Sequence, residues 1–146
     1  MTRIVLIILI ISFFLSNNLI ASNQDVFDDA KMYFEKKDYN QSKFLFQKFL
    51  VFNPKDHLSY LYLAKIYKEE DNKNETEKNL NTTLLLNPKN EEALFMLIEL
   101  QLERSNFLKV TELNEKFSLI CLKLCNKKSI IAEKIKNLKP KKVTKH

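Results

Sequence analysis

A period of thirty-four residues runs through this chain and limits what it can fold into. Asn53-Pro54-Lys55 recurs as Asn87-Pro88-Lys89, while Ala30 is matched by Ala64, Tyr33 by Tyr67 and Glu35 by Glu69. A third copy keeps the step in Asp38, Asn72 and Asn106, in Glu35, Glu69 and Glu103, and in the apolar Phe27, Leu61 and Phe95. Each copy is too short to bury an apolar face alone, so copies must stack and share a core. The expected product is a stacked surface suited to contact with other chains.

Within each copy the apolar residues fall at helical spacing. Val26, Ala30, Tyr33 and Phe34 lie at three- and four-residue steps, Asp38 offers a cap, and Phe46, Phe49 and Leu50 share a face of the next segment. Asn53-Pro54 then breaks the helix, because proline lacks a donor and drives the preceding residue out of the helical region. Asp56 can cap the next helix. In the second copy Tyr60, Leu63, Ala64 and Tyr67 form the inner stripe, Asn72 marks the turn, and Leu80, Leu84 and Leu86 follow. In the third, Val110, Leu113, Phe117, Ile120 and Leu124 predict a second helix; Ile98 replaces the small Ala30 and Ala64, and no proline closes the repeat. Ile131, Ile135 and Leu138 predict a terminal helix that covers the open end of the stack, with Pro140 beyond it. The chain has no glycine, so positive-φ positions are expected to fall on Asn or Asp.

The N-terminus has the pattern of an export signal. Met1-Thr2-Arg3 precedes Ile4 to Leu15, which is apolar except for Ser12, and Ala21 or Ser22 offers a cleavage point. The predicted mature protein begins near Ser22 or Asn23 and is periplasmic or secreted; the alternative is a membrane anchor formed by residues 4–15. Residues 23 to 122 carry 14 Lys/Arg against 17 Asp/Glu, whereas residues 123 to 146 carry 9 Lys against Glu133 alone. The basicity therefore belongs to the end of the chain, where it reads as a solvated helix and tail rather than a nucleic-acid site. Membrane contact is expected only through an uncleaved leader or that tail.

These residues together resemble the tetratricopeptide repeat family. The likeness rests on Ala30, Tyr33, Phe46 and Pro54 in one copy and on Tyr60, Leu63, Ala64, Tyr67, Leu80 and Pro88 in the next. It implies an all-α fold of about three helical hairpins, at 23–56, 57–90 and 91–124, stacked as a short superhelix with a capping helix at 125–138 and a basic tail at 139–146. The departures are Asp29 at a position that is large and apolar in the family, Ser42 and Thr76 in place of alanine, and turns without glycine. The resemblance further implies ligand binding along the concave groove, with Phe27, Lys31, Phe34, Leu61, Lys65, Lys68, Phe95, Glu99 and Leu102 facing it. Replacing Phe27, Leu61 and Phe95 by Ser is accordingly expected to abolish capture at little cost in stability. Members that clamp a chaperone's C-terminal carboxylate use polar groove residues where this chain has Phe27, Lys31, Tyr62, Glu92 and Met96, and that clamp is missing.

Little else suggests chemistry. His57 and His146 are the only histidines, and neither lies in a ligand-spaced cluster; no metal or cofactor is expected. Cys121 and Cys125 fit neither a redox CxxC nor a zinc site. A regular helix would strain a bridge between them, so buried packing of at least one of them ranks ahead of a disulfide, within the chain or between chains. The sequons at Asn40, Asn74 and Asn81 read as chance matches in an asparagine-rich chain. The leading expectation is a non-enzymatic interaction scaffold of the cell envelope that binds a protein or peptide partner; the alternative is an exported thiol or enzyme function using Cys121 and Cys125.

Overall fold

The computed structural model describes residues 23–138, so the expected leader and basic tail lie outside the described residues. Those residues form seven α-helices and no strand, and the chain divides into two compact units at Phe52 and Asn53.

The first unit is one hairpin, α1 (Asn23–Glu35) packed on α2 (Tyr39–Phe52). Ala30 is fully buried at their crossing, where a larger side chain would hold the backbones apart. Ser42, which stands where the family carries alanine, is also fully buried, and its hydroxyl donates to the Ala30 carbonyl at 2.8 Å. The added oxygen is thus satisfied without enlarging the contact. Phe27 lies edge-on to Phe46 at 5.6 Å and tilted to Phe49 at 5.3 Å, an aromatic cluster that fills the hairpin. Asp29 is exposed, which explains why an acid is tolerated there.

The second unit holds α3 (His57–Glu69), α4 (Lys73–Leu86), α5 (Glu91–Glu103), α6 (Phe107–Ile120) and α7 (Lys127–Leu138). The pairs α3/α4 and α5/α6 form hairpins, α4 packs on α5, and α7 packs on α6 and α5. One core joins Ala64 and Leu80 of the first pair to Leu97, Ile98, Val110 and Phe117 of the second, with Ile131 of α7 as its lid. Ile98 sits where the other copies carry alanine. The position opposite carries Val110 rather than the Ser42 or Thr76 of the earlier copies, and both Ile98 and Val110 are fully buried.

The turns inside the hairpins follow one plan. Lys37, Asp71 and Ser105, one repeat apart, adopt left-handed backbone with φ of 61°, 52° and 56°. The next residue's amide reaches back to close the helix, Asp38 to the Tyr33 carbonyl at 2.9 Å, Asn72 to Tyr67 at 2.8 Å and Asn106 to Gln101 at 2.9 Å. That same residue caps the following helix: Asp38, Asn72 and Asn106 accept from the amides of Gln41, Glu75 and Lys109. The expectation of Asn or Asp at positive φ holds for Asp71 and fails for Lys37 and Ser105. The polar residues at Asp38, Asn72 and Asn106 serve as caps one position later instead.

The loop after α6 breaks the pattern. Helix α6 ends at Ile120, so Leu124 lies in the loop and not on the helix predicted to include it. Cys121 occupies the repeat position of Asn53 and Asn87, takes extended backbone, and is disulfide-bonded to Cys125. The objection drawn from helix geometry fails because these residues are not helical; Cys121 is buried in the core as expected, but the ranking of packing ahead of a disulfide is corrected, since Cys121 is both buried and bridged. From the start of α5, the Glu91 carboxylate accepts the amides of Lys123 at 3.0 Å and Leu124 at 2.8 Å. The Leu124 amide bond leads in holding the Glu91 carboxyl below its ordinary range.

Candidate functional site

In the second unit α3 and α5 lie side by side, and their exposed faces are laced by ion pairs. Lys65 meets Glu92 at 2.8 Å and Lys68 meets Glu99 at 3.1 Å, while Lys73, opening α4, meets Glu103 at 3.3 Å. Each rung joins a lysine to a glutamate 27 to 31 residues further along, on a neighbouring helix, and so binds repeat to repeat. Beside them opens a cleft of about 120 Å³, lined by Lys68, Lys73, Met96, Leu100 and Glu103 among others. The ammonium of Lys65 also sits 4.9 Å from the Tyr62 ring centroid.

The residues expected to face a groove divide into two groups. Lys65, Lys68 and Glu99 stand on this face and keep access to solvent. Phe95 is half-buried, 6.1 Å from Phe117, with Lys127 of α7 over its ring at 5.6 Å. Leu61 and Leu102, by contrast, are 3% and 8% exposed and belong to the core. In the first unit Lys31 and Phe34 are half-buried, and Phe27 is 9% exposed inside its aromatic cluster. The expectation that Phe27 and Leu61 could become serine at little cost is therefore corrected, since their apolar area is already spent within the fold.

Two arrangements escaped the sequence. Glu92, Lys73 and Glu103 complete the rungs, and only the opposite signs of Lys65 and Glu99 at the same repeat position hinted at such pairing. Behind them Glu77 of α4 accepts from Gln101 at 2.7 Å and from Arg104, which also donates to Asn74 at 3.0 Å. Gln101 is 2% exposed, yet its amide is fully engaged because its oxygen accepts from Asn106 at 3.1 Å. Among the described residues no cluster of His, Cys, Asp or Glu is arranged to hold a metal ion, and no helix is long and apolar enough to cross a membrane. His57 opens α3, with its Nε2 3.4 Å from the Asn87 amide.

No protein-family model matches the chain, and no curated protein matches it. Solved structures do. The type III secretion chaperone SycD of Yersinia enterocolitica, in complex with a peptide of the translocator YopD, is 13% identical with a TM-score of 0.69, covering 84% of this chain and 97% of that one. The Sgt2 TPR domain of Aspergillus fumigatus is 13% identical at a TM-score of 0.67, covering 79% and 80%. The TPR2B domain of yeast Sti1, in complex with pHsp70, is 17% identical at a TM-score of 0.63, covering 80% and 91%. At such identities the likeness is one of fold, and the chain is thereby shown to have the all-α helical-hairpin repeat fold of tetratricopeptide repeat domains.

Proposed function

We propose that this protein is a non-enzymatic interaction scaffold that captures a peptide segment of a partner on the α3 and α5 face. The observation that carries the reading is the row of Lys–Glu rungs beside the cleft, on a fold that SycD uses to hold a peptide of YopD. A solvent-exposed ion pair contributes about 0–1 kcal/mol, so a ligand carboxylate can take Lys65 or Lys68 from its glutamate at small cost. Apolar ligand side chains would then enter beside Met96 and Leu100. The face does not suit a chaperone C-terminus: Glu92 is a carboxylate already tied to Lys65, and Met96 is 9% exposed.

The residue pattern of 4–15 supports export, which would put this scaffold in the cell envelope or outside the cell. Mass spectrometry of the protein from its native cell tests that: a mature N-terminus near Ser22 or Asn23 is expected, and a full-length cytosolic product would refute it. The binding face is tested by a photo-crosslinking residue placed at Glu99 and, separately, at Glu133, which is exposed on α7 and lines neither cleft of the unit. A discrete partner should be trapped from Glu99 and not from Glu133; the reverse pattern would overturn the assignment.

A further inference from the structure

A second cleft lies on a different side of the same unit, walled by α4 and α6 and floored by α5. Its volume is about 510 Å³. Leu94 and Leu97 of α5 form the floor and Leu113 lines the foot of the α6 wall, all 2–3% exposed, whereas Leu85 on one lip and Leu119 on the other are 81% and 87% exposed. A single exposed leucine is ordinary, but two of them on facing lips above an apolar floor make one continuous patch. The charged residues lining the cleft are Lys109 and Lys116, and none is acidic. Both lysines are held by one carboxylate, Glu112, at 2.9 and 2.6 Å. Two ammonium groups sharing one carboxylate leave the rim with a positive surplus.

The geometry points to this cleft as a second docking surface, occupied by an amphipathic helix of another protein that carries leucine-type residues on one face and carboxylates along its flank. Two helices for walls and a third for floor give the shape that accepts a helix's apolar stripe. The surplus charge selects the flank. Lys116 is exposed and Lys109 half-buried with its side chain 43% accessible, so either can turn to a ligand carboxylate while the other keeps Glu112, and the exchange of surface pairs costs little. An occupant with basic flanks would meet two ammonium groups with only Glu112 to offset them. The surface is separate from the α3 and α5 face, so one scaffold can hold two partners.

The test uses the full chain and a fluorescein-labelled synthetic helix with leucines at i, i+3, i+4 and i+7 and glutamates beside them. Fluorescence anisotropy should show saturable binding, weakened at least about tenfold by the double replacement Leu85→Ser and Leu119→Ser, whose side chains make few contacts in the fold. Lys109→Gln with Lys116→Gln should weaken it without touching the apolar floor, and serves if the leucine variant loses helical circular dichroism. Replacing the peptide's glutamates by lysines should abolish binding. Equal binding of both peptides, or binding unchanged in both variants, would overturn the proposal. So would self-association of the protein that the leucine replacements remove, because the occupant would then be a second copy. Loss of binding in Lys68→Glu but not in the leucine variant would place the peptide on the α3 and α5 face, refuting this cleft while sparing the proposed function.

Discussion

Replacing Lys37, Asp71 and Ser105 by glycine, one at a time, should stabilise the protein. At φ of 61°, 52° and 56° a β-carbon crowds the following carbonyl, at a cost of roughly 1–2 kcal/mol for most residues. Glycine removes that cost but gives the unfolded chain freedom worth about 0.5–1 kcal/mol, leaving a net gain of about 0.5–1 kcal/mol at Lys37 and Ser105. The gain at Asp71 should be smaller, because Asp tolerates left-handed backbone better. Urea denaturation followed by circular dichroism reads the change as a higher midpoint with unchanged slope. The control is Gln47→Gly, exposed in the middle of α2, which should cost about 0.5–1 kcal/mol as glycine does in a helix interior. If Lys37→Gly and Ser105→Gly destabilise as much as the control does, these residues are not left-handed and the account of the glycine-free turns fails.

Phe27→Ser and Leu61→Ser should each cost about 3 kcal/mol or more, read by the same denaturation, since both side chains are core; near-neutral values would return them to an open groove. Under denaturing, non-reducing conditions Cys121 and Cys125 should resist alkylation, and replacing both by serine should cost about 2 kcal/mol on the chain-entropy account of a short closed loop; full alkylation without reductant would contradict the bridge. The Glu91 carboxyl titrates below its ordinary value of 4.5, chiefly through the Leu124 amide. A depressed folded pKa means that its contribution is complete above the ordinary value and is lost as pH falls through the folded one. Hydrogen-exchange protection of the Lys123 and Leu124 amides should therefore hold near neutrality, fall in acid below 4.5, and be weakened near neutrality by Glu91→Gln. Protection that does not change with acidification would refute the anchoring role.

The hairpins were legible because their signals repeat: Ala30 and Ala64 mark crossings, Asp38, Asn72 and Asn106 mark caps, and Pro54 and Pro88 mark breaks. Agreement at one period outweighs any single propensity. What the sequence obscured depends on which side of a helix faces what. Phe27 and Leu61 keep the groove register, yet the packing of the helices covers them, and periodicity does not record how deeply a stripe sinks. The Lys–Glu rungs join residues 27 to 31 positions apart, a separation at which charge pattern alone does not choose partners. The disulfide was obscured because Leu124 extended the apolar pattern of α6 beyond its end, concealing a loop in which Cys121 can reach Cys125.

Hydrogen exchange of the full-length protein, measured with and without the partner trapped through Glu99, tests the central claim most directly. Capture on the α3 and α5 face predicts slowed exchange in those helices, centred on the turns that carry Lys65, Lys68 and Glu99, with α6 little changed. Slowing confined to α4 and α6, or none in α3 and α5 at saturating partner, would contradict it.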